Sequence, residues 1–254
     1  MKTIVEVNNL TKFYGKNKVL SNVTLKIQEK EIVGLIGPNG AGKSTLMKCL
    51  TSLVFFQEGE IKICGYDIQK QREHALSVQS SLIEMPGMYP NMSGDANLTY
   101  FAKLRGCSEE QYQFVKEFTG LGDALKKKTK EYSLGMKQRL GLASALLGEP
   151  PVLILDEPTN GLDPAGIHEI RNLIKSLPKR YDCTILISSH MLSEIELLAD
   201  DIGILNHGRL LFEGSLDDLK FTAHQAGFEN DNLEEMFLSM IDEDNANRKQ
   251  RLKL

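Results

Sequence analysis

The chain has 254 residues, of which 41% are hydrophobic and 25% are charged. This is ordinary globular composition and argues against a disordered or fibrous chain. The net charge is −4, whereas a dedicated nucleic-acid binder usually carries a clear basic excess. The apolar runs are too short to cross a bilayer, the N-terminus lacks a secretory hydrophobic region, and the four cysteines form no CxxC pair. We therefore expect a cytoplasmic chain with reduced thiols.

The first 36 residues are predicted to form strands. Apolar residues alternate with polar ones in 23–27, as on a half-buried sheet, while 32–36 is continuously apolar and suits a strand buried on both faces. The glycine-rich stretch 37–42 follows directly, and helical spacing of apolar residues begins after Ser44. The predicted order is strand, glycine loop, helix.

Helical spacing dominates the middle of the chain, from Pro86 to Gly148. Buried strands are then predicted at 152–155, 184–188 and 202–205, with helices between them. Strands that alternate with helices imply an α/β fold whose parallel sheet is covered on both faces. We predict one α/β domain at 1–218 with a helical subdomain inserted at about 86–148, and a C-terminal helical tail at 219–254. An apolar stripe on the tail is expected to pack on the core and consists of Leu233, Met236, Phe237 and Met240.

The loop at 37–44 fits the pattern G-x-x-x-x-G-K-[ST] of a phosphate-binding loop. Its glycines let backbone N–H groups converge on phosphate oxygens at the positive end of the next helix. Lys43 would place a charge on the β- and γ-phosphates, and the Ser44 hydroxyl would ligate Mg²⁺. An ordinary glycine turn is the alternative, and the flanking strand and helix disfavour it. The predicted nucleotide-binding residues of this stretch are Gly37, Pro38, Asn39, Gly40, Ala41, Gly42, Lys43, Ser44 and Thr45.

Two carboxylates, Asp156 and Glu157, end the strand predicted at 152–155. This is the edge of an open α/β sheet at which ligands bind. Asp156 is expected to hold Mg²⁺, as the second-strand Asp of P-loop ATPases does. Glu157, one residue further, is placed where a carboxylate could polarise an attacking water.

Further motifs carry a family resemblance. Residues 132–139, Tyr-Ser-Leu-Gly-Met-Lys-Gln-Arg, resemble the signature of ABC-transporter ATPases. The segment 160–164 resembles the D-loop of that family, His190 its switch histidine, and Tyr14 the aromatic residue on which adenine stacks. Six motifs in the family's order leave little room for chance.

Two departures point to one branch of the family. Leu134 and Met136 stand where the family most often has Gly and Gln, and Glu84 takes the place of the Q-loop glutamine. Both features resemble the bacterial branch that exports bacitracin or lantibiotic peptides.

The resemblance implies a P-loop NTPase core of the RecA type with an N-terminal antiparallel β subdomain. It also implies that two copies, or one copy and a paired ATPase subunit, face each other head-to-tail and enclose two ATP. Separate integral-membrane permease subunits are the expected partners, on the cytoplasmic face of the cell membrane, and no nucleic acid is expected. The roles that the resemblance assigns are catalysis by Glu157 and His190, Mg²⁺ ligation by Ser44, Glu84 and Asp156, adenine stacking by Tyr14, and nucleotide contacts from Ser133, Gly135 and Asp163, with the first two reaching the γ-phosphate of the opposite subunit.

Two rival functions are considered. An ABC ATPase that acts on DNA or ribosomes usually carries a long coiled coil or two cassettes in one chain, and neither is visible here. The acidic balance also disfavours nucleic acid. A nucleotide-gated binding module without turnover would be expected to lack Glu157, which is present.

Overall fold

The computed structural model describes residues 2–84, 87–225 and 233–251. Its first sheet is antiparallel, with the order β2-β1-β4-β5. The strands are β1 (Thr3–Tyr14), β2 (Asn17–Gln28), β4 (Glu58–Ile63) and β5 (Tyr66–Asp67), while β3 (Ile32–Ile36) lies in the second sheet. Alternating burial along β2 matches the alternation in its sequence, because successive side chains of a strand point to opposite faces.

The second sheet has six strands in the order β10-β9-β3-β8-β7-β6. Five are parallel, and β10 pairs antiparallel with β9 at one edge. Beside β3, its strands are β6 (Gln79–Leu82), β7 (Val152–Asp156), β8 (Thr184–Ser189), β9 (Asp201–Asn206) and β10 (Arg209–Ser215). The strands predicted from continuous apolar runs are confirmed. The sequence prediction missed β6, because its Gln-Ser-Ser-Leu sequence shows no apolar run.

Nine α-helices lie in the described part of the chain. They are α1 (Lys43–Leu50), α2 (Arg72–Ser77), α3 (Gly94–Arg105), α4 (Glu109–Phe118), α5 (Leu134–Leu146), α6 (Pro164–Tyr181), α7 (Leu192–Glu196), α8 (Leu216–Gln225) and α9 (Leu233–Arg251). In addition, 3₁₀ turns run over Gly122–Lys126 and Thr129–Glu131. No helix of the described residues is long and apolar enough to span a bilayer.

The middle of the chain is helical, as predicted, and comprises α3 to α5. Each of these helices starts at a serine whose hydroxyl accepts a hydrogen bond from a backbone N–H in the first turn, the capping that stabilises helix N-termini. The three capping residues are Ser93, Ser108 and Ser133. The predicted first residue of the subdomain, Pro86, lies outside the described residues.

The parallel sheet separates two apolar clusters. Val33 and Leu35 of β3 face α1 and the antiparallel sheet, while Ile32 and Ile36 face the side on which α5, α6 and α9 pack. The stripe on α9 packs there as predicted, with Leu233, Met236 and Phe237 buried and Met240 against the cluster. Residues 226–232 and 252–254 of the predicted tail lie outside the described residues. Because five strands of this sheet are parallel, their carboxyl ends lie at the same edge.

Candidate nucleotide-binding site

The phosphate loop connects β3 to α1. Its last residue, Gly42, has φ 111° and caps the helix without a side-chain bond, a conformation that only glycine adopts readily. A Cβ on Gly37 would lie 2.1 Å from the carbonyl oxygen of Leu205. Glycine is therefore required at both ends of the loop, at one end for its backbone angle and at the other for close packing.

The Lys43 side chain folds back into the loop. It is 4% exposed, and its Nζ donates to the carbonyl oxygens of Gly37 at 2.6 Å and Pro38 at 3.3 Å. The Glu157 carboxylate lies 3.5 Å from the same nitrogen. A buried ammonium is costly unless it is paired, so these contacts hold the positive charge inside the loop, where a phosphate would meet it.

Asp156 ends β7 at the carboxyl edge of the sheet, and Glu157 follows it beside the phosphate loop. The Ser188 hydroxyl of the neighbouring strand donates to Asp156 Oδ1 at 2.7 Å and accepts from the Glu157 N–H at 2.9 Å. Ser188 is fully buried, so its two bonds fix the directions of both acidic residues. Glu157 itself has φ 45°, a strained angle for a non-glycine residue and common at functional sites.

Polar side chains surround the Glu157 carboxylate. His190 Nδ1 lies 3.2 Å from Glu157 Oε2, and Asn160 Nδ2 donates to the same oxygen at 3.3 Å. A carboxylate only accepts, so the His190 Nδ1 carries the proton in this contact. The structure thus brings together Lys43, Glu157 and His190, three of the residues that the sequence predicts for catalysis and binding.

A second carboxylate, Glu194, supports the loops that carry these groups. Its Oε2 accepts from the hydroxyls of Thr159 and Ser189, each at 2.9 Å. Ser189 in turn accepts from the Met191 N–H at 3.0 Å, so the bonds bracket His190. Sequence reasoning assigned no role to either residue: Ser188 lies in the stretch that leads to His190 without a sign of its bonds to Asp156 and Glu157, and Glu194 belongs to no motif.

Glu84 forms an ion pair with Lys48 and does not contact the other predicted metal ligands. Its carboxylate accepts from Lys48 Nζ at 2.6 Å and is 66% exposed. This hydrogen bond, and then the charge of Lys48, lower the pKa of Glu84, while the same bond raises the pKa of Lys48. The structure therefore pairs Glu84 with Lys48 and gives no contact between Glu84 and Ser44 or Asp156.

Tyr14 ends β1, and its side chain is 46% exposed. The Lys12 Nζ lies 4.5 Å from the ring centroid. An exposed aromatic ring at a strand end is accessible to a planar ligand such as a purine base.

The signature residues lie in a separate groove. A cavity of about 460 Å³ is lined by Ser133, Gly135, Asp163 and Gly166, among others, and by no residue of the phosphate loop. Asp163 caps α6 through a bond from the Gly166 N–H at 3.0 Å, while Ser133 caps α5. Two helix N-termini thus border one groove, and such termini favour anions.

Oxygen ligands of the kind that Mg²⁺ prefers are present at the sheet edge. Asp156 is 8% exposed, and with Oδ1 held by Ser188 its Oδ2 is left without a protein partner among the described residues. No three His, Cys, Asp or Glu of the described residues cluster as a metal cage. Mg²⁺ at nucleotide sites usually takes one or two protein ligands together with phosphate oxygens and water, so a site with Ser44 and Asp156 fits that ion.

Comparison with known proteins gives the same answer as the motifs. The family model described as ABC transporter matches residues 20–160, more than half of the chain. This chain belongs to the ABC transporter family. The predicted α/β P-loop fold and the predicted family are both confirmed, and the chain is an ABC ATPase, the ATP-binding subunit of such a transporter.

Two named relatives of this ABC ATPase are transport ATP-binding proteins. The bacitracin transport ATP-binding protein BcrA of Bacillus licheniformis is 45% identical over 221 residues, which cover 87% of this chain and 72% of that protein. The lantibiotic transport ATP-binding protein SrtF of Streptococcus pyogenes is 42% identical over 238 residues, 94% of this chain and 97% of that protein. The rival function on DNA or ribosomes is not favoured.

Solved structures agree with the fold. An ATP-binding subunit of an ABC transporter superposes with a TM-score of 0.83 at 33% identity, over 94% of this chain and 99% of that one. The ATP-binding cassette MJ0796, a dimer bound to ADP and phosphate in a post-hydrolysis state, superposes with a TM-score of 0.75 at 24% identity, over 84% of this chain and 98% of that one. The second likeness bears on the fold alone.

Proposed function

We propose that this ABC ATPase energises the export of antimicrobial peptides of the bacitracin or lantibiotic type, for self-protection or resistance. The observation that carries the proposal is the likeness to SrtF, which extends over nearly the whole of both chains at 42% identity. Likeness to BcrA at 45% identity supports the same class of cargo.

The proposed catalytic roles rest on the contacts at the sheet edge. Glu157 is the proposed general base for the attacking water, and its carboxylate is held 3.5 Å from Lys43 Nζ and 3.2 Å from His190 Nδ1. Lys43 and the loop amides bind the phosphates, and His190 binds the γ-phosphate and orients the water. Tyr14 stacks on adenine.

Ser44 and Asp156 are the proposed Mg²⁺ ligands, with Glu84 joining them when its bond to Lys48 opens. Bound Mg²⁺ would neutralise charge on the β- and γ-phosphates. Asp156 is ready for this role because Ser188 already fixes its orientation. Glu84 requires a change of partner, which ties its role to the movement of the Lys48 side chain.

A second copy, or a paired ATPase subunit, is proposed to complete each site. Ser133 and Gly135 line a groove that no phosphate-loop residue reaches. Head-to-tail pairing brings this groove, with Asp163 at its border, onto the ATP bound to the opposite phosphate loop. Hydrolysis then requires the closed dimer.

The membrane-spanning subunits are proposed to contact the inserted helical subdomain, which follows Glu84 in the chain. Tyr89, Tyr100 and Leu104 of this subdomain are exposed, and the first two rings pack edge-to-face with centroids 5.1 Å apart. We propose that the chain thereby lies peripherally on the cytoplasmic face of the membrane. We keep the division into an ATPase domain at 1–218 and a tail at 219–254, with α3 to α5 as the inserted subdomain.

The experiment is reconstitution of this chain with the membrane proteins that co-purify with it. ATPase activity in proteoliposomes is measured with bacitracin, with a lantibiotic and with an unrelated cationic peptide. Stimulation by either of the first two and not by the third is expected, and the Glu157→Gln complex should give none. Equal rates with all three peptides, or no membrane protein in the purified complex, would contradict the proposal.

A further inference from the structure

The turn between β9 and β10 supports the phosphate loop from behind. The Gly208 N–H donates to the carbonyl oxygen of Ala41 at 2.7 Å, and the Gly208 carbonyl accepts from the Ser21 N–H at 2.8 Å. The carbonyl oxygen of Leu205, just before the turn in β9, lies close to Gly37. Both ends of the phosphate loop therefore rest on the backbone of 205–208.

The bond to Ala41 also sets the direction of the next amide. Because a peptide unit is planar and trans, its C=O and N–H point in opposite directions. With the Ala41 carbonyl turned toward Gly208, the Gly42 N–H points away from the turn. A shift of the turn would therefore rotate one of the amides at the start of α1.

The C-terminal helix α9 holds the side chains of this turn. The Asp244 carboxylate accepts from Asn206 Nδ2 at 3.0 Å and pairs with Arg209 at 3.4 Å. Asn245 Oδ1 accepts from Asn206 Nδ2 at 3.3 Å and lies 2.9 Å from His207 Nε2. Two adjacent residues of α9 thus contact three of the four residues from Asn206 to Arg209.

The turn needs such support. His207 and Gly208 have φ of 45° and 75°, as a two-residue hairpin of the primed type demands, and a histidine takes this angle at a cost in energy. Asp244 is 9% exposed, so its charge depends on Asn206 and Arg209 for compensation. The polar contacts of α9 and the conformation of the turn stabilise each other.

We propose that Asp244 and Asn245 are positioning residues for nucleotide binding, acting through the 206–209 turn on the phosphate loop. The inference rests on the proposed nucleotide site. It assigns to the C-terminal helix a share in the affinity for nucleotide, although the helix touches none of the proposed nucleotide-binding residues among the contacts described.

The test compares Asp244→Ala with Met236→Ala in the full chain. Met236 is buried on the same helix and belongs to the apolar cluster, so its truncation loosens α9 without removing a bond to the turn. Calorimetry with Mg-ADP should give a Kd that is roughly fivefold higher for Asp244→Ala, at the lower end of typical coupling between sites. Met236→Ala should bind as the unaltered chain does, and hydrogen exchange should quicken at 37–45 only in Asp244→Ala.

Rescue separates positioning from general loosening. Asp244→Asn keeps an oxygen that accepts from Asn206 and should retain a Kd close to that of the unaltered chain. Asn245→Ala, a milder change, should raise the Kd by a smaller factor and replaces Asp244→Ala if that variant does not fold. Equal Kd values in all variants, or an equal rise in Met236→Ala, would overturn the inference. Failure of the unaltered chain to bind Mg-ADP would instead contradict the proposed nucleotide site.

Discussion

The phosphate-loop edge and the signature groove differ in how completely the chain assembles them. At the first, Glu157 already contacts both Lys43 and His190, and the Ser188 hydroxyl bonds to Asp156 and to the Glu157 amide. At the second, Ser133 and Asp163 use their side chains to cap their own helices. The side chains of the first region contact one another across three elements, whereas those of the second only cap their own helices.

The proposed head-to-tail pairing explains this difference, because the chain then carries two complementary halves of a site. Catalytic groups that must hold a buried charge are preorganised within one copy, because an unpaired Lys43 would be costly. Helix N-termini at a groove can stay hydrated at little cost in free energy, so they need no partner to remain folded. The following predictions test the contrast between the two halves.

Glu157→Gln should have the largest effect. Loss of the general base should slow ATP turnover by about 10²–10⁴-fold, while the intact Lys43 still binds ATP and the dimer is trapped. Light scattering after size exclusion with saturating Mg-ATP should show the dimer, in the isolated chain or in the reconstituted complex. Lys43→Ala is the control that should stay monomeric. A Glu157→Gln chain that is monomeric in both settings would contradict the two-half arrangement.

Mixing two inactive variants tests whether the halves act in trans. Lys43→Ala removes the charge in the phosphate loop, and Ser133→Arg blocks the signature groove. Each variant alone should hydrolyse almost no ATP, whereas a mixture forms dimers that retain one intact composite site and should recover part of the activity. The rate of the mixture is measured against the sum of the separate rates. A mixture no faster than that sum would show that both halves belong to one copy.

Ser188→Ala should have a moderate effect on the preorganised half. It removes one hydrogen bond to a carboxylate and one from the Glu157 amide, and loss of a bond to a charged group costs about 1.5–3 kcal/mol. We expect kcat to fall by about tenfold or more, with a smaller change in KM. Ser81→Ala, at an exposed serine of the same sheet, should leave both constants unchanged. A normal kcat in Ser188→Ala would remove its role in orienting the acidic pair.

Glu84 should give the smallest effect, visible in the Mg²⁺ dependence. Glu84→Gln keeps an oxygen ligand without its charge, so hydrolysis should be largely preserved while Mg²⁺ dependence becomes shallower. Lys48→Met frees the Glu84 carboxylate and should steepen the dependence by a few-fold. Superimposable Mg²⁺ titrations of the three chains would leave Glu84 without a role at the metal.

The pH dependence of the Glu84–Lys48 pair follows from the two pKa shifts. Because the pKa of Glu84 is lowered, the stability that its ionised carboxylate contributes is present above the ordinary pKa of a glutamate. This stability is lost as pH falls through the lowered pKa. Because the pKa of Lys48 is raised, the stability that its ammonium group contributes is present below the ordinary pKa of a lysine and is lost as pH rises through the raised pKa. Between these two pKa values both side chains stay charged. Mg²⁺ titrations near neutral pH therefore compare the variants with Glu84 and Lys48 ionised wherever they are present.

Features that depend on neighbouring residues could be predicted from the sequence. The phosphate loop depends on glycine backbone angles and on the helix that follows, all within 37–50. Asp156 and Glu157 stand at the end of a strand whose continuous apolar run predicts its burial. The parallel strands with continuous apolar runs, the helical middle and the stripe on α9 were likewise predictable, because their apolar patterns are local.

The groups that orient the proposed site could not be predicted from the sequence and became visible in the folded chain. Ser188, Lys48 and Asp244 each contact residues more than 30 positions away, and a serine in a strand or an aspartate on a helix carries no local sign of its partner. The polar strand β6 was missed for the same reason, since its place comes from pairing with β7. Hydrogen bonds between distant residues depend on how the elements pack, and packing is a property of the whole chain.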